Sequence, residues 1–159
     1  MEMVSIRKAA QDDIIQIKNV VTKAWHDTYK NIMTASTSVQ FLEASFSTSR
    51  LEKRIKETLF LVAEVDGEIV GFANFIYGKA LNLSAIYVLP EYQRHAIGRA
   101  LLHNGLSYFD TYDAAFVEVA LDNERATKFY YREGFELVRE YEEDILGEKV
   151  LSGLLKKTL

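Results

Sequence analysis

The sequence predicts a single α/β (α+β) domain over residues 1–159, built on a mixed central sheet. Three observations predict it. An Asp66-Gly67 pair sits between two runs rich in β-branched and aromatic residues, which specifies a two-residue hairpin. A later run of the same kind stops at Pro90, the chain's one proline, and a short basic stretch then leads straight into an amphipathic pattern. Helical periodicity also follows the first and fifth strand-like runs, so helices and strands mix along the chain. The expected architecture is a sheet of about six to seven strands flanked by about four helices.

In chain order, residues 4–9 read as the first strand, and Asp12 or Asp13 as the cap of the helix behind it. Ile14, Ile17, Val20 or Val21, Ala24 and Trp25 recur at helical spacing to about Tyr29. The Ser- and Thr-rich segment 31–49 carries an apolar island at Val39, Phe41, Leu42 and Phe46 and predicts a short helix between loops; residues 51–56 add a further helical turn or two. Residues 59–65 and 68–77 form the hairpin, with Gly71 marking a bulge or close packing, and 81–88 form the next strand. Past the basic loop, Ile97, Leu101, Leu102, Leu106 and Phe109 line one face of a helix that should end near Tyr112. Residues 115–121 read as a buried strand. Asp122 or Asn123 then caps a short helix that Gly134 ends as the residue after its C-cap. Residues 135–142 and 149–155 close the sheet as an antiparallel pair around Leu146-Gly147.

Composition narrows the classes of function. The 48% hydrophobic and 26% charged content describes a globular chain with a sizeable core. No apolar run approaches the roughly 18 residues of a membrane span, and residues 1–7 lack a signal-peptide layout, so a cytoplasmic location without membrane association is expected. The absence of cysteine excludes disulfides, thiolate nucleophiles and Cys-based metal sites, and three scattered histidines offer no zinc-ligand spacing, so no metal is expected. A net charge of −4, without a basic helix, argues against nucleic acid as a partner. A local basic cluster still suffices for an anionic cofactor, and an acidic body suits a cationic second substrate.

That cluster lies in the stretch 88–102, where the order strand, tight basic loop, helix N-terminus builds an anion site. The first amides of a helix have no internal partners, and the helix dipole adds partial positive charge there. Small residues at 96, 98 and 100 permit close approach of an anion, and Arg94 and Arg99 supply full charge, with His95 a further candidate beside them. Further on, Asn123, Ala126 and Tyr130 stand at i, i+3 and i+7, on one face of the last helix.

Taken together, these two stretches resemble the GNAT family of acetyl-CoA-dependent N-acetyltransferases. The loop is similar to that family's Gln/Arg-x-x-Gly-x-Gly/Ala pyrophosphate motif at Gln93, Ala96 and Gly98. The second stretch matches Asn-x-x-Ala-x-x-x-Tyr…Gly-Phe at Asn123, Ala126, Tyr130, Gly134 and Phe135, and Leu83, Ile86, Tyr87, Val88 and Pro90 match upstream. The order of elements agrees over nearly the whole chain. The resemblance implies a sheet splayed between strands 81–88 and 115–121, with acetyl-CoA as co-substrate in the slot. Its pantetheine arm would bond to backbone groups of Ile86, Tyr87 and Val88, and an amide near Val88 would face the thioester oxygen. Its pyrophosphate would rest on Gln93, Arg94, His95, Ala96, Ile97, Gly98, Arg99 and Ala100. Asn123 and Ala126 would line the arm, and Tyr130 is implied as the general acid for the departing thiolate.

One residue departs from the pattern. Ala96 stands where the family usually has glycine. A positive φ there would strain alanine by roughly 1–2 kcal/mol; a negative φ is expected, because the helix should already be starting. The amine must also lose a proton, and Glu118, Tyr87 or water are the candidate bases. The acceptor side is expected from residues 25–46 and the turn 142–149. There a cationic acceptor could stack on Trp25 or Tyr29, with Asp27 or Glu43 neutralising charge.

Trp25-x-x-Thr28-Tyr29 also resembles GNAT enzymes of the polyamine-acetylating PaiA kind. The expected activity is direct acetyl transfer to a primary amine of a small, polyamine-like or amino-acid-like molecule. A peptide or protein N-terminal acetyltransferase and a non-catalytic CoA-binding regulatory domain are the alternatives. The closing strands could also pair between subunits as a homodimer.

Overall fold

Turn chemistry and strand patterning fix one sheet in the computed structural model, which describes residues 3–93 and 96–159. Arg94 and His95, expected at the anion site, lie outside the described residues. The strands are β1 (Val4–Lys8), β2 (Leu59–Val65), β3 (Glu68–Ile76), β4 (Leu81–Val88), β5 (Ala114–Ala120), β6 (Glu136–Ile145) and β7 (Glu148–Thr158). Their spatial order is β1-β2-β3-β4-β5-β7-β6, with β4 and β5 parallel and the other neighbours antiparallel. The Asp66-Gly67 and Leu146-Gly147 pairs both take positive φ at both residues, the backbone of a tight hairpin turn.

Among the described residues the α-helices number five rather than about four: α1 (Ile14–Tyr29), α2 (Ala35–Ser45), α3 (Thr48–Glu57), α4 (Ile97–Leu106) and α5 (Glu124–Arg132). The additional break lies in the Ser- and Thr-rich stretch, where Thr34 and Ser47 each accept a backbone hydrogen bond and so start separate helices. Asp13 precedes α1 but does not cap it with its side chain. Its carboxylate instead accepts from the Ala10 amide at 2.7 Å and the Arg7 guanidinium at 2.8 Å, bracing the 3-10 turn before α1. α4 ends at Leu106, short of Tyr112. Beyond it the amides of Tyr108 and Phe109 bond to carbonyls three residues back, so the chain keeps turning and Phe109 still reaches the core.

β3 is buried from Ile69 to Phe75, because helices cover both faces of the sheet. Phe72 packs on Phe46, Phe60 and Tyr87 on the side of α1 to α3. On the other side α4 presents Ile97, Leu101 and Leu102, all at most 1% exposed. Gly105 seats α4 against Phe75, whose ring occupies the space an added Cβ would need. Gly71 serves both roles expected of it. The register with β2 slips beside it, and an added Cβ there would meet the Tyr87 carbonyl at 3.1 Å.

A second slip decides where the site lies. Asn74 pairs with Ala85 but Phe75 with Leu83, so Ser84 is an extra residue in β4. The parallel ladder to β5 pairs Leu81, Asn82 and Leu83 with Ala115, Phe116 and Val117, and it stops where this bulge begins. Beyond that point β4 and β5 diverge, while β5 stays paired to β7 along its whole length.

Candidate active site

The divergence leaves residues 84–88 of β4 and 118–120 of β5 without a ladder between them among the described residues. Backbone groups on these facing edges require a partner from water or a ligand. A cleft of about 270 Å³ opens there. Ile86, Tyr87, Asn123, Ala126 and Tyr130 line it, all of them expected site residues. Trp25, Tyr29, Met33 and Phe41 close one side, and Glu118, Glu143, Ile145 and Ser152 another. Segments 25–46 and 142–149 thus both contribute to the cleft. Val88, Gln93, Ala96, Ile97, Gly98, Arg99 and Ala100 lie outside it, at the end of β4 and the start of α4.

The aromatic wall is ordered by stacking. The Trp25 ring lies 4.1 Å from that of Tyr29 and 4.4 Å from that of Phe41, both near parallel. The Trp25 Nε1 is buried without a hydrogen-bond partner among the described residues. Behind the wall, Tyr87 packs edge-on to Phe46 at 5.9 Å.

Three phenols meet in this region, and each is held above its ordinary pKa. Burial pushes Tyr130 up, and its neighbour Tyr29 adds to the shift. Burial, then Tyr29 and Tyr130, push Tyr87 well up, against the opposing charge of Arg54. Burial raises Tyr29, hydrogen bonding from Asn123 opposes this, and the Glu143 carboxylate raises it further. All three therefore remain neutral hydrogen-bond donors near pH 7. Tyr87 thus does not suit the role of general base, because a base must be deprotonated at working pH.

Tyr130 reaches the cleft from α5, whose register is set at its start. The Asn123 side chain caps α5 by accepting from the Ala126 amide at 3.2 Å. Gly134, with φ at +92°, ends the helix as expected. Tyr130 is 6% exposed, and its ring packs edge-on to Phe129 and Phe135. Tyr131 is 47% exposed and turns to solvent, which leaves Tyr130 as the inward phenol of the pair.

The anion cradle differs from expectation in two residues. Ala96 takes φ +58° and ψ +20° as the N-cap of α4, so it is left-handed and not in the expected negative-φ conformation. The helix begins one residue later, and the cap itself must reverse the chain coming out of the loop. Ala96 therefore carries the strain of roughly 1–2 kcal/mol that glycine would avoid. Arg99 points along α4 toward α5 and pairs with Glu133 at 3.6 Å, sharing that carboxylate with His103 at 2.6 Å. Gln93 donates to the Val88 carbonyl at 3.2 Å and ties the loop to the end of β4. Asp27 is also committed elsewhere: it pairs with Arg125 at 3.1 Å instead of facing an acceptor, and Glu43 is on α2, outside the cleft.

Arg125, Glu143 and Ser152 were not singled out by the sequence. Ser152 donates to Glu143 at 3.0 Å, and Tyr141 donates to Glu118 at 2.8 Å, so a donor on a nearby strand orients each cleft carboxylate. Strand alternation could have flagged Glu143 as sharing a face with Tyr141, but the pairing to Ser152 depends on register. Among the described residues, no group of three or more His, Asp or Glu side chains is placed to hold a metal ion. No described helix is long and apolar enough to cross a membrane.

A mixed sheet opened along one seam, with a helix N-terminus at the mouth and phenols at depth, defines a ligand-binding α/β enzyme domain. The residues fit an extended acyl carrier: two unladdered strand edges for its amides, the α4 N-terminus for its phosphates, and small Ala126 for clearance. The family model for the acetyltransferase (GNAT) family matches residues 23–135, and the chain belongs to that family.

Comparison with individual proteins agrees. The chain is 32% identical over 103 residues to an uncharacterized N-acetyltransferase of Mycobacterium tuberculosis (strain ATCC 25618 / H37Rv). That match covers 61% of this chain and 66% of the relative, so the chain spans slightly under two thirds of the mycobacterial protein's length. It is 26% identical over 157 residues to the spermidine N(1)-acetyltransferase of Thermoplasma acidophilum, covering 92% of this chain and 96% of that one. The crystal structure of a PaiA N-acetyltransferase from Thermoplasma acidophilum, in complex with coenzyme A, superposes with a TM-score of 0.85. That comparison covers 99% of both chains at 24% identity.

Proposed function

We propose that the protein transfers the acetyl group of acetyl-CoA directly to a primary amine of a small cationic molecule. The observation that carries this reading is the charge of the cleft. Glu118 and Glu143 line it, and no lysine or arginine does among the described residues. Two carboxylates beside an aromatic wall suit an ammonium-bearing acceptor, through charge and through cation–π contact with Tyr29, since both faces of the Trp25 ring are covered by Tyr29 and Phe41. Similarity to a spermidine acetyltransferase supports a polyamine-like acceptor.

Acetyl-CoA supplies an activated acyl group. The residues of this chain then have separable tasks. Amides at the end of β4, near Val88, hydrogen-bond the thioester oxygen as negative charge develops on it. Glu118, oriented by Tyr141, takes the proton of the ammonium, through a water where the distance requires one. The freed amine attacks the acetyl carbon, so the C–N bond forms and the C–S bond breaks; the sulfur leaves as thiolate, and the nitrogen releases its second proton to solvent to give the neutral amide. Tyr130 donates a hydrogen bond to that sulfur. A phenol above about 10 gives up its proton to a thiolate whose thiol titrates near 8.5 only at a cost of more than about 2 kcal/mol. Tyr130 therefore stabilises the leaving thiolate as a donor, and solvent completes the protonation.

The test is release of free thiol from acetyl-CoA across matched acceptors: diamines and polyamines, monoamines of equal length, amino acids, and short peptides. Di- or polyamines are expected to give kcat/KM at least tenfold above equal-length monoamines. Peptides as the best acceptors would favour the N-terminal acetyltransferase reading. CoA binding without turnover on any amine would favour a regulatory domain.

A further inference from the structure

We infer that Arg125 is a phosphate-binding residue for the cofactor, held in this structure by a carboxylate that competes with that phosphate. The inference rests on the coenzyme A reading of the seam and goes beyond it, because neither sequence motif assigned Arg125 a task.

The placement follows from the splay. β4 and β5 part after Leu83 and Val117, and the segments that leave them, at Gln93 and at Arg125, come back together above the gap. Arg125 stands in the first turn of α5, two residues past the Asn123 cap. Its guanidinium donates to the Gln93 side-chain oxygen, and the same Nη1 donates to Asp27 of α1 at 3.1 Å. Gln93 is itself fixed to the Val88 carbonyl. A cation thus stands at the mouth of the seam, beside the loop that delivers the α4 N-terminus. Arg99, which the motif places there, is turned to Glu133.

The partners that hold Arg125 are weak ones. Its side chain is 64% exposed and that of Asp27 is 31% exposed, so water screens the pair. A pyrophosphate offers the planar guanidinium a bidentate match, which a neutral amide and a single carboxylate oxygen do not. On cofactor arrival Arg125 exchanges Gln93 and Asp27 for phosphate oxygens. No covalent bond is made or broken in this exchange.

The experiment measures CoA and pantetheine affinity by calorimetry in parallel, since pantetheine keeps the arm but lacks the phosphates. In Arg125→Ala the ratio of CoA to pantetheine affinity should fall about tenfold, with Arg125→Lys intermediate. Asp27→Asn should raise CoA affinity about two- to threefold, because the competing carboxylate is gone, and should leave pantetheine affinity as it was. Thermal melts of the variants check that they fold. A ratio unchanged in Arg125→Ala overturns the inference while the cofactor reading stands. Equal loss of both ligands also overturns it, since that marks Arg125 as a brace for the seam. Failure of the wild-type protein to bind CoA overturns both.

Discussion

The Tyr141 hydroxyl donates to the Glu118 carboxylate at 2.8 Å, reaching from β6 past β7 to β5. The bond orients one of the two cleft carboxylates from behind, and the Tyr141 phenol is itself raised above its ordinary pKa, first by burial and then by the bond and the charge of Glu118. It is therefore a constant donor at neutral pH.

Glu118→Gln should lower kcat by about 10²-fold or more, because the amide keeps the shape but cannot accept the ammonium proton. Tyr141→Phe should lose only part of the rate, because Glu118 keeps its carboxylate and loses only the donor that orients it. Steady-state kinetics at neutral pH read both, and a kcat unchanged in Glu118→Gln would exclude it as base.

Tyr130→Phe should lower kcat about 10²-fold with CoA affinity nearly unchanged, since the lost hydroxyl matters only once charge gathers on sulfur. Stability offers an independent readout of the buried phenols. Tyr29, Tyr87 and Tyr130 have raised pKa values in the fold, so the unfolded chain ionises first, at about 10. Their contribution to stability is fully present below that pH and is lost as pH climbs through the higher folded values. Melting temperature should thus drop steeply above about pH 10, and less steeply in Tyr87→Phe. Equal slopes in the two proteins would show that Tyr87 is not among the groups responsible.

Ala96→Gly should stabilise the protein. Relief of the left-handed strain, less the extra freedom glycine gives the unfolded chain, leaves a net gain of about 1 kcal/mol. That corresponds to a rise of about 2–4 °C in melting temperature for a domain of this size. A fall in melting temperature would show that the methyl group contributes packing that outweighs the strain.

How far these features could be read in advance depended on how local their causes are. The Asp66-Gly67 hairpin was legible because two adjacent residues determine it. The α5 cap and its C-terminal glycine were legible for the same reason, and with them the inward face carrying Tyr130. The backbone of Ala96 was not legible, because the sequence places the helix start only to within a residue, and that one residue separates a helical φ from a left-handed one. The end of α4 was blurred because 3-10 turns preserved the apolar spacing through Phe109. Two features stayed hidden altogether. The Ser84 bulge exists only in the register between β3 and β4. The Arg125 bridge joins residues 98 and 32 positions apart, to Asp27 and Gln93 respectively, and no periodicity encodes it.

The short ladder between β4 and β5 has a mechanical consequence. The sheet is two stiff plates, β1 to β4 and β5 with β7 and β6, riveted together at one end and free at the other. A cofactor arm lying between the free ends would act as a missing strand that laces the plates along their length. Binding energy and rigidity would then become one quantity: the ligand that brings the reactive group would also set the spacing between the Val88 end of β4 and the Glu118 edge of β5. An acceptor arriving at the unlaced plates meets a site whose two halves are not yet held at working distance.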